Sequence, residues 1–254
     1  DALKDIAVFS GRVGQFIFIS SASCYAKPVR SYPINESVPL SNPYSPYAQN
    51  KIKAEMALME AFRSSGFPVT IVRPSHTYAT RLPLPLGAGS EYTLIDRIRK
   101  GLPVVSPGDG TSLWTVTHSD DFAKGITGLF GRTCSLGNAY NITSDEALTW
   151  DGIYAEVGRA VGMEPEIIHA PSDVIAKEDP SAVANLIGDK AWSLIFDNSK
   201  IKKLVPDFVC TVPFSIGCRR ALRWFDEKPE RKVIKPETNA VIEGVIRRME
   251  RAWS

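Results

Sequence analysis

The chain has 254 residues, 44% of them hydrophobic, which is enough apolar material for one or two buried cores. Thirty Lys and Arg stand against 28 Asp and Glu, a net charge of +2, so no dense basic surface announces nucleic acid and no strong field steers a charged ligand. The four cysteines and three histidines fall in no zinc-ligand spacing, free thiols suit a cytoplasmic setting, and no apolar run is long enough to span a bilayer.

In chain order, "DALKDIAVFSGR" reads as part of a helix. Phe16–Ile19 in "GQFIFISSAS" is an apolar run without alternation, the pattern of a strand covered on both faces of a parallel sheet. Open parallel sheets bind ligands at the carboxyl ends of their strands, which is where the SSAS tetrapeptide falls. Residues 26–46 are rich in Pro, Ser and Asn and predict a long functional loop. A helix follows from about Pro46 to Ser64, capped by Ser45, with Ile52, Met56 and Met59 as its apolar stripe, extended by Ala48 and Phe62. "VTIVRPS" is a second buried strand, so strand, loop, helix and strand make one βαβ crossover of an α/β fold.

A loop over 76–90 leads to the amphipathic helix "EYTLIDRIRKG", the short strand and glycine turn of "LPVVSPGDG", and a helix starting near Ser119, where Asp120 and Asp121 favour the N-terminus. "NAYNIT" predicts a strand, Thr149 caps the next helix, and "PEIIHAP" is strand-like. Beyond Ser172 the chain reads as loops and helices, with Asp197, Asn198 and Ser199 at a helix start and a helical tail over 237–254.

The chemistry centres on "YSPYAQNK". Residues four apart on a helix share a face, so Tyr47 and Lys51 point the same way. An ammonium near a phenol favours the phenolate and lowers its pKa from about 10, which fits a tyrosine for proton exchange with a substrate hydroxyl. Taken alone, such a pair is a common surface feature. The serines at the preceding strand end give it a second hydroxyl, and Ser, Tyr and Lys together suit alcohol–ketone redox with a nicotinamide.

These segments resemble the extended short-chain dehydrogenases/reductases, in particular the NAD-dependent epimerase/dehydratase group. "FIFISSASCY" is similar to that family's serine strand, "SPYAQNK" to its YxxxK helix, "VRPSHTY" to its Arg-Pro segment, "GDGTSLWTVTHSDDFAKGI" to its GDG turn and helix, and "FDNSKIKKL" to a segment of its substrate domain, all in family order. The resemblance implies a Rossmann-like parallel sheet with a small C-terminal substrate domain: residues 1–145 as a partial dinucleotide-binding domain with substrate-domain segments inserted, and 146–254 as mainly substrate-binding. It implies Ser21, Tyr47 and Lys51 as catalytic residues. Ser20, Tyr47, Lys51, Pro74, Ser75 and His76 would face the cofactor, NAD or NADP. Ser23, Tyr25, His76 and Trp114 would face a small-molecule substrate, and two helices per subunit would pair in a homodimer.

Two departures qualify that picture. The family's Gly-rich phosphate turn is missing, since "GRVGQF" precedes a strand instead of following one, so the chain reads as lacking the first part of the dinucleotide domain. The family's arginine after the GDG turn is replaced by Trp114, which removes a phosphate contact and offers an apolar one, unless the residue is simply core. The expected activity is an NAD(P)-dependent epimerase or dehydratase acting on a hydroxyl-bearing, sugar or nucleotide-sugar substrate. The alternatives are an NAD(P)H-dependent reductase of a non-nucleotide carbonyl, and a non-catalytic RNA-binding or scaffold member.

Overall fold

The computed structural model describes residues 2–87 and 91–253; the end of the 76–90 loop and the last residue of the tail lie outside them. Helix α1 (Ala2–Phe9) precedes β1 (Phe16–Ile19), followed by α2 (Pro46–Ser65), β2 (Val69–Pro74), β3 (His76–Tyr78), α3 (Thr93–Arg99), β4 (Val104–Pro107), β5 (Leu113–Trp114), β6 (Val116–His118) and α4 (Ser119–Thr127). Then come β7 (Asn138–Ile142), β8 (Leu148–Thr149), α5 (Trp150–Val161), β9 (Ile167–Ala170), α6 (Ser172–Glu178), α7 (Val183–Asn185), α8 (Ser199–Leu204), α9 (Phe214–Glu227) and α10 (Pro236–Trp253). Between α7 and α8, Leu186–Lys190 forms a π-helical turn.

The fold is α/β, with a parallel sheet in the order β1-β2-β7. The central strand β2 is buried from Val69 to Arg73, whereas β1, whose unalternating run predicts cover on both faces, pairs only with β2 among the described residues and is half-buried, with Ile19 38% exposed. Val69 and Ile71 pack with Leu58, Ala61 and Phe67 beneath α1 and α2. Val72 faces the other way, onto Tyr140, Ile142, Ile201, Val205 and Phe208. A larger apolar core gathers residues from β4, β9, α3, α5, α9 and α10.

Gln15 ties the start of β1 to distant chain. Its Nε2 donates to Thr70 Oγ1 (3.2 Å), the Leu129 carbonyl (3.0 Å) and Ser135 Oγ (3.0 Å), and its Oε1 accepts from the Gly131 N–H (2.8 Å).

Helix α2 begins as predicted, with Ser45 Oγ accepting from the Ala48 N–H at 3.3 Å and Pro46 in the first turn. It ends at Gly66, whose φ of +70° is the left-handed conformation that glycine adopts without a Cβ penalty. The buried face matches the predicted stripe at Ala48 but not elsewhere: Glu55, Leu58 and Ala61 are buried, while Met56 is 66% exposed. The physical reason is that Glu55 has a buried cationic partner in Arg73, so a charged position turns inward and Met56 turns out.

Two local readings change. Residues 76–78 pair with β6 in place of a loop. At α4 the cap is His118, whose Nδ1 accepts from the Asp120 N–H at 3.2 Å. Asp121 is buried and its carboxylate accepts from the Thr211 (3.0 Å) and Val212 (2.8 Å) N–H groups and from Lys124 Nζ (2.7 Å), so it pins a remote segment. The helix start expected at Asp197–Ser199 is present: α8 begins at Ser199, whose N–H donates to Asp197 Oδ1 at 2.8 Å, while Asn198 is buried against Thr143.

Candidate active site

The carboxyl ends of β1 and β2 open into a cavity of about 440 Å³. Ser21, Ser23, Tyr47, Pro74, Ser75, His76 and Trp114 all line it, so seven of the residues singled out in the sequence meet in one place. Parallel pairing of β1 with β2 sets the two strand ends side by side, and the first turn of α2 leans over them.

Ser21 follows β1 and caps the short turn Ala22–Cys24. Its Oγ accepts from the Ser23 N–H (3.2 Å) and from Ser23 Oγ (2.8 Å). With two donors already aimed at that oxygen, the Ser21 proton is free to be donated elsewhere. Ser23 thereby orients the hydroxyl.

Tyr47 is 56% exposed on the first turn of α2. Partial enclosure raises its pKa above 10, and the Ser21 hydroxyl beside it acts in the opposite direction. This departs from the sequence expectation of a phenol whose pKa is lowered by Lys51. The cause is geometric: Lys51 Nζ donates to the Ile19 carbonyl at 2.7 Å and sits 4.9 Å from the Phe18 ring centroid, against 5.8 Å from that of Tyr47. Lys51 keeps two further N–H donors.

Three expected residues stand off the cavity wall: Lys51, Ser20 and Tyr25. Ser20 is 2% exposed, with its hydroxyl 3.7 Å from Cys24 Sγ. Tyr25 is fully buried; its hydroxyl donates to Asn141 Oδ1 at 2.6 Å and accepts from Arg73 Nη1 at 3.2 Å. Neither borders the cavity: Ser20 turns inward beside Cys24, and Tyr25 is held by its bonds to Asn141 and Arg73. Cys24 is also buried, which pushes its thiol up to about 11.

His76 packs edge-on against Trp114 (centroids 6.2 Å apart), and Trp114 lies 4.9 Å from Trp150. Burial, with the Lys190 ammonium nearby, depresses the His76 pKa to about 3, so the ring is neutral at ordinary pH. Trp114 is both core and cavity wall: it is 2% exposed, and its indole N–H has no acceptor among the described residues.

Sequence reading missed Asn185 and Asp189, which close the cavity from the segment around the π-helical turn. No motif marks that stretch. Asp189 Oδ1 lies 3.8 Å from Lys27 Nζ, and its side chain keeps 26% of its surface. Burial raises the Asp189 pKa, against the pull of Lys27 and Lys190. Of the described residues lining the cavity, none is Lys or Arg and Asp189 is the one acid.

The nicotinamide-ribose end of a dinucleotide fits these residues: Tyr47 is accessible, Lys51 has donors to spare, and Pro74, Ser75 and His76 form the adjoining wall. Among the described residues, no glycine-rich turn leads from a strand into a helix to take a pyrophosphate.

The chain is 23% identical over 210 residues to the 2'-dehydrokanamycin reductase of Streptomyces kanamyceticus, which covers 82% of this chain and 58% of that protein. It is 24% identical over 159 residues to the chloroplast stem-loop binding protein of 41 kDa b of Arabidopsis thaliana, covering 62% of this chain and 39% of that protein. In structure it is similar to the UDP-glucose 4-epimerase of Thermotoga maritima, with a TM-score of 0.71, 22% identity, and coverage of 89% of this chain and 68% of that one. The chain therefore spans about three fifths or less of the length of these two curated relatives. The sequence model of the NAD dependent epimerase/dehydratase family matches residues 3–143, more than half of the chain, and the α/β fold with its parallel sheet agrees: the chain belongs to that family.

Proposed function

We propose that this chain carries the proton-transfer and substrate-holding part of an NAD(P)-dependent epimerase or dehydratase, acting on a hydroxyl-bearing sugar or nucleotide sugar by transient oxidation. One observation carries the reading: the Ser21 and Tyr47 hydroxyls open on the same cavity at the strand ends. The free Ser21 proton is donated to the substrate oxygen. Tyr47 takes the proton of the substrate hydroxyl as the carbonyl forms, and returns it when the alcohol is restored. Lys51, Pro74, Ser75 and His76 hold the nicotinamide-ribose end. A bound nicotinamide supplies the hydride acceptor and donor.

The raised pKa leaves Tyr47 holding its proton at neutral pH, the form that protonates a carbonyl oxygen while a reduced nicotinamide supplies the hydride. That supports the second reading, a reductase of a non-nucleotide carbonyl, together with the lack of Lys and Arg among the described residues of the cavity wall and the likeness to the 2'-dehydrokanamycin reductase. Net consumption of reduced cofactor, followed by its near-ultraviolet absorbance, separates the two, since epimerisation has no net redox. Pairing of two subunits through α2 belongs to the same reading, with Met56 on the outer face.

The deciding experiment is turnover by the full-length protein. Tyr47→Phe is expected to lower kcat by about 10²- to 10⁴-fold and Ser21→Ala by about 10²- to 10³-fold. Full activity in Tyr47→Phe overturns the reading. Salt-dependent RNA binding that survives in that variant would favour the non-catalytic alternative suggested by the chloroplast relative.

A further inference from the structure

Ser21 and Tyr47 belong to different elements, yet proton transfer needs both hydroxyls at one substrate oxygen. Ser21 starts the turn after β1, and Tyr47 rides on α2. Backbone pairing brings the chain before α2 alongside the chain after β1. The Ala26 N–H donates to the Pro39 carbonyl (2.8 Å), the Lys27 N–H to that of Ser41 (2.9 Å) and the Ser41 N–H to that of Cys24 (3.0 Å). The next link toward the cavity is made by a side chain, that of Asn42.

Asn42 is buried, and its amide has partners on three segments. Nδ2 donates to the Ser23 carbonyl at 2.8 Å and to the Gly188 carbonyl at 2.7 Å, and Oδ1 accepts from the Tyr44 N–H at 3.2 Å. Both amide protons are thereby spent. Each partner stands one step from the site. Ser23 gives its own N–H and hydroxyl to Ser21 Oγ. Tyr44 precedes Ser45, the cap of the helix that carries Tyr47. Gly188 lies in the turn that reaches the cavity through Asp189. It approaches the start of α2 so closely that a Cβ there would stand 3.2 Å from that of Tyr44 and 3.4 Å from that of Ser45.

The three attachments differ in what else secures them. The Leu186–Lys190 turn has further ties, since Trp150 Nε1 donates to the Lys190 carbonyl (2.9 Å) and Lys190 Nζ to those of Leu84 (3.2 Å) and Pro85 (3.0 Å). The start of α2 has its Ser45 cap. The serine turn is tied to α2 more thinly. Cys24 Sγ, a weak donor, lies 3.7 Å from the Ala48 carbonyl, and Lys51 reaches the strand end at Ile19 and not the turn itself. Loss of the amide therefore frees the serine turn first.

We infer that Asn42 is a positioning residue for the acid–base site: it sets the gap between the Ser21 and Tyr47 hydroxyls by holding the serine turn to the start of α2. It does not line the cavity and acts through Ser23. Without its donors, two carbonyls lose their partner and the turn relaxes. A shift of about 1 Å in a reacting group is enough to cost about 10²-fold in rate. The inference deepens the proposed function and rests on it for the reaction.

The test uses the full-length protein and reads Asn42 through Ser21. Asn42→Ala and Asn42→Leu both remove the amide without placing a charge beside the phenol, and leucine leaves no void. In turnover, each is expected to lower kcat by about 10- to 100-fold and to leave KM within about threefold. In a Ser21→Ala background the same change is expected to cost less than about threefold more, because the group it positions is already gone. A second readout needs no substrate. With no cofactor bound, the Tyr47 phenolate absorbance is expected to titrate at higher pH in both Asn42 variants than in the parent, as in Ser21→Ala, with no further rise when the changes are combined.

Costs that add in full to that of Ser21→Ala, or a phenol midpoint unmoved in both Asn42 variants, overturn the inference. Loss of the far-ultraviolet circular dichroism in both variants overturns it as well, since the amide would then hold the fold and not a gap. Absence of turnover in the parent overturns the proposed reaction instead, and the phenol titration still decides the role of Asn42.

Discussion

Arg73 and Glu55 form a buried two-point pair: Nη2 meets Oε2 at 2.6 Å and Nε meets Oε1 at 3.1 Å, with side chains 7% and 3% exposed. Arg73 lies on β2 and Glu55 on α2, two helical turns beyond Tyr47, so the pair fixes the rotation of the helix that carries Tyr47 and Lys51. Removing one partner leaves the other charge buried and unmatched. Glu55→Gln is expected to cost about 3–5 kcal/mol in urea unfolding, and Glu55→Gln/Arg73→Met to recover part of that loss. Equal stability of Glu55→Gln and the parent would show that the pair does not hold the helix.

The Tyr47 phenol gives a second prediction. Its pKa is raised by enclosure and lowered by Ser21, and Lys51 is turned to the Ile19 carbonyl. In the cofactor-free chain, the phenolate absorbance lost in Tyr47→Phe is expected to titrate above pH 10. Ser21→Ala moves that midpoint higher and Lys51→Met leaves it in place. A midpoint below 10 in the parent, or a large rise with Lys51→Met, would restore the lysine as the group that sets the phenol.

His76 bears on pH dependence. Its folded pKa of about 3 lies below the ordinary 6.5, so the folded chain resists protonating it while the unfolded chain does not. The contribution is fully present above about pH 6.5 and is lost as pH falls from there toward 3. His76→Gln is expected to flatten the decline of stability between about pH 6.5 and 5, where few carboxylates titrate. With three histidines in the chain, the imidazole proton resonances provide an independent check: one should stay neutral across that range.

Asp121 anchors the residues before α9 through two backbone N–H groups. Asp121→Asn removes the charge from those hydrogen bonds and is expected to cost about 1.5–3 kcal/mol. Faster hydrogen exchange should be confined first to the amides of Thr211 and Val212.

The elements legible in the sequence are those whose signal is local. The β-branched run of β2 ended by Pro74, the Ser45 and Thr149 caps and the Gly66 stop each depend on neighbours a few residues away. The YxxxK spacing likewise places Tyr47 at the cavity as soon as α2 forms. What was not legible depends on distant chain. Glu55 turns inward because of Arg73, and Asp121 looks like a helix-start acid until the residues at 211–212 are set beside it. Asp189 is one acid in a segment without pattern, and its place at the cavity follows from folding of the 179–194 stretch over α2.

The Gln15 amide has a bearing on how the chain is made. Three of its four bonds are to residues 129–135, more than a hundred positions downstream, and β2 finds its second neighbour only at β7. During synthesis the first strand therefore remains without its lock until the ribosome has passed residue 135. Non-local closure of this kind is slow and leaves strand edges open to other chains. Yield from a cell should thus respond to chaperone supply and growth temperature more than to the strength of any single interaction near the cavity.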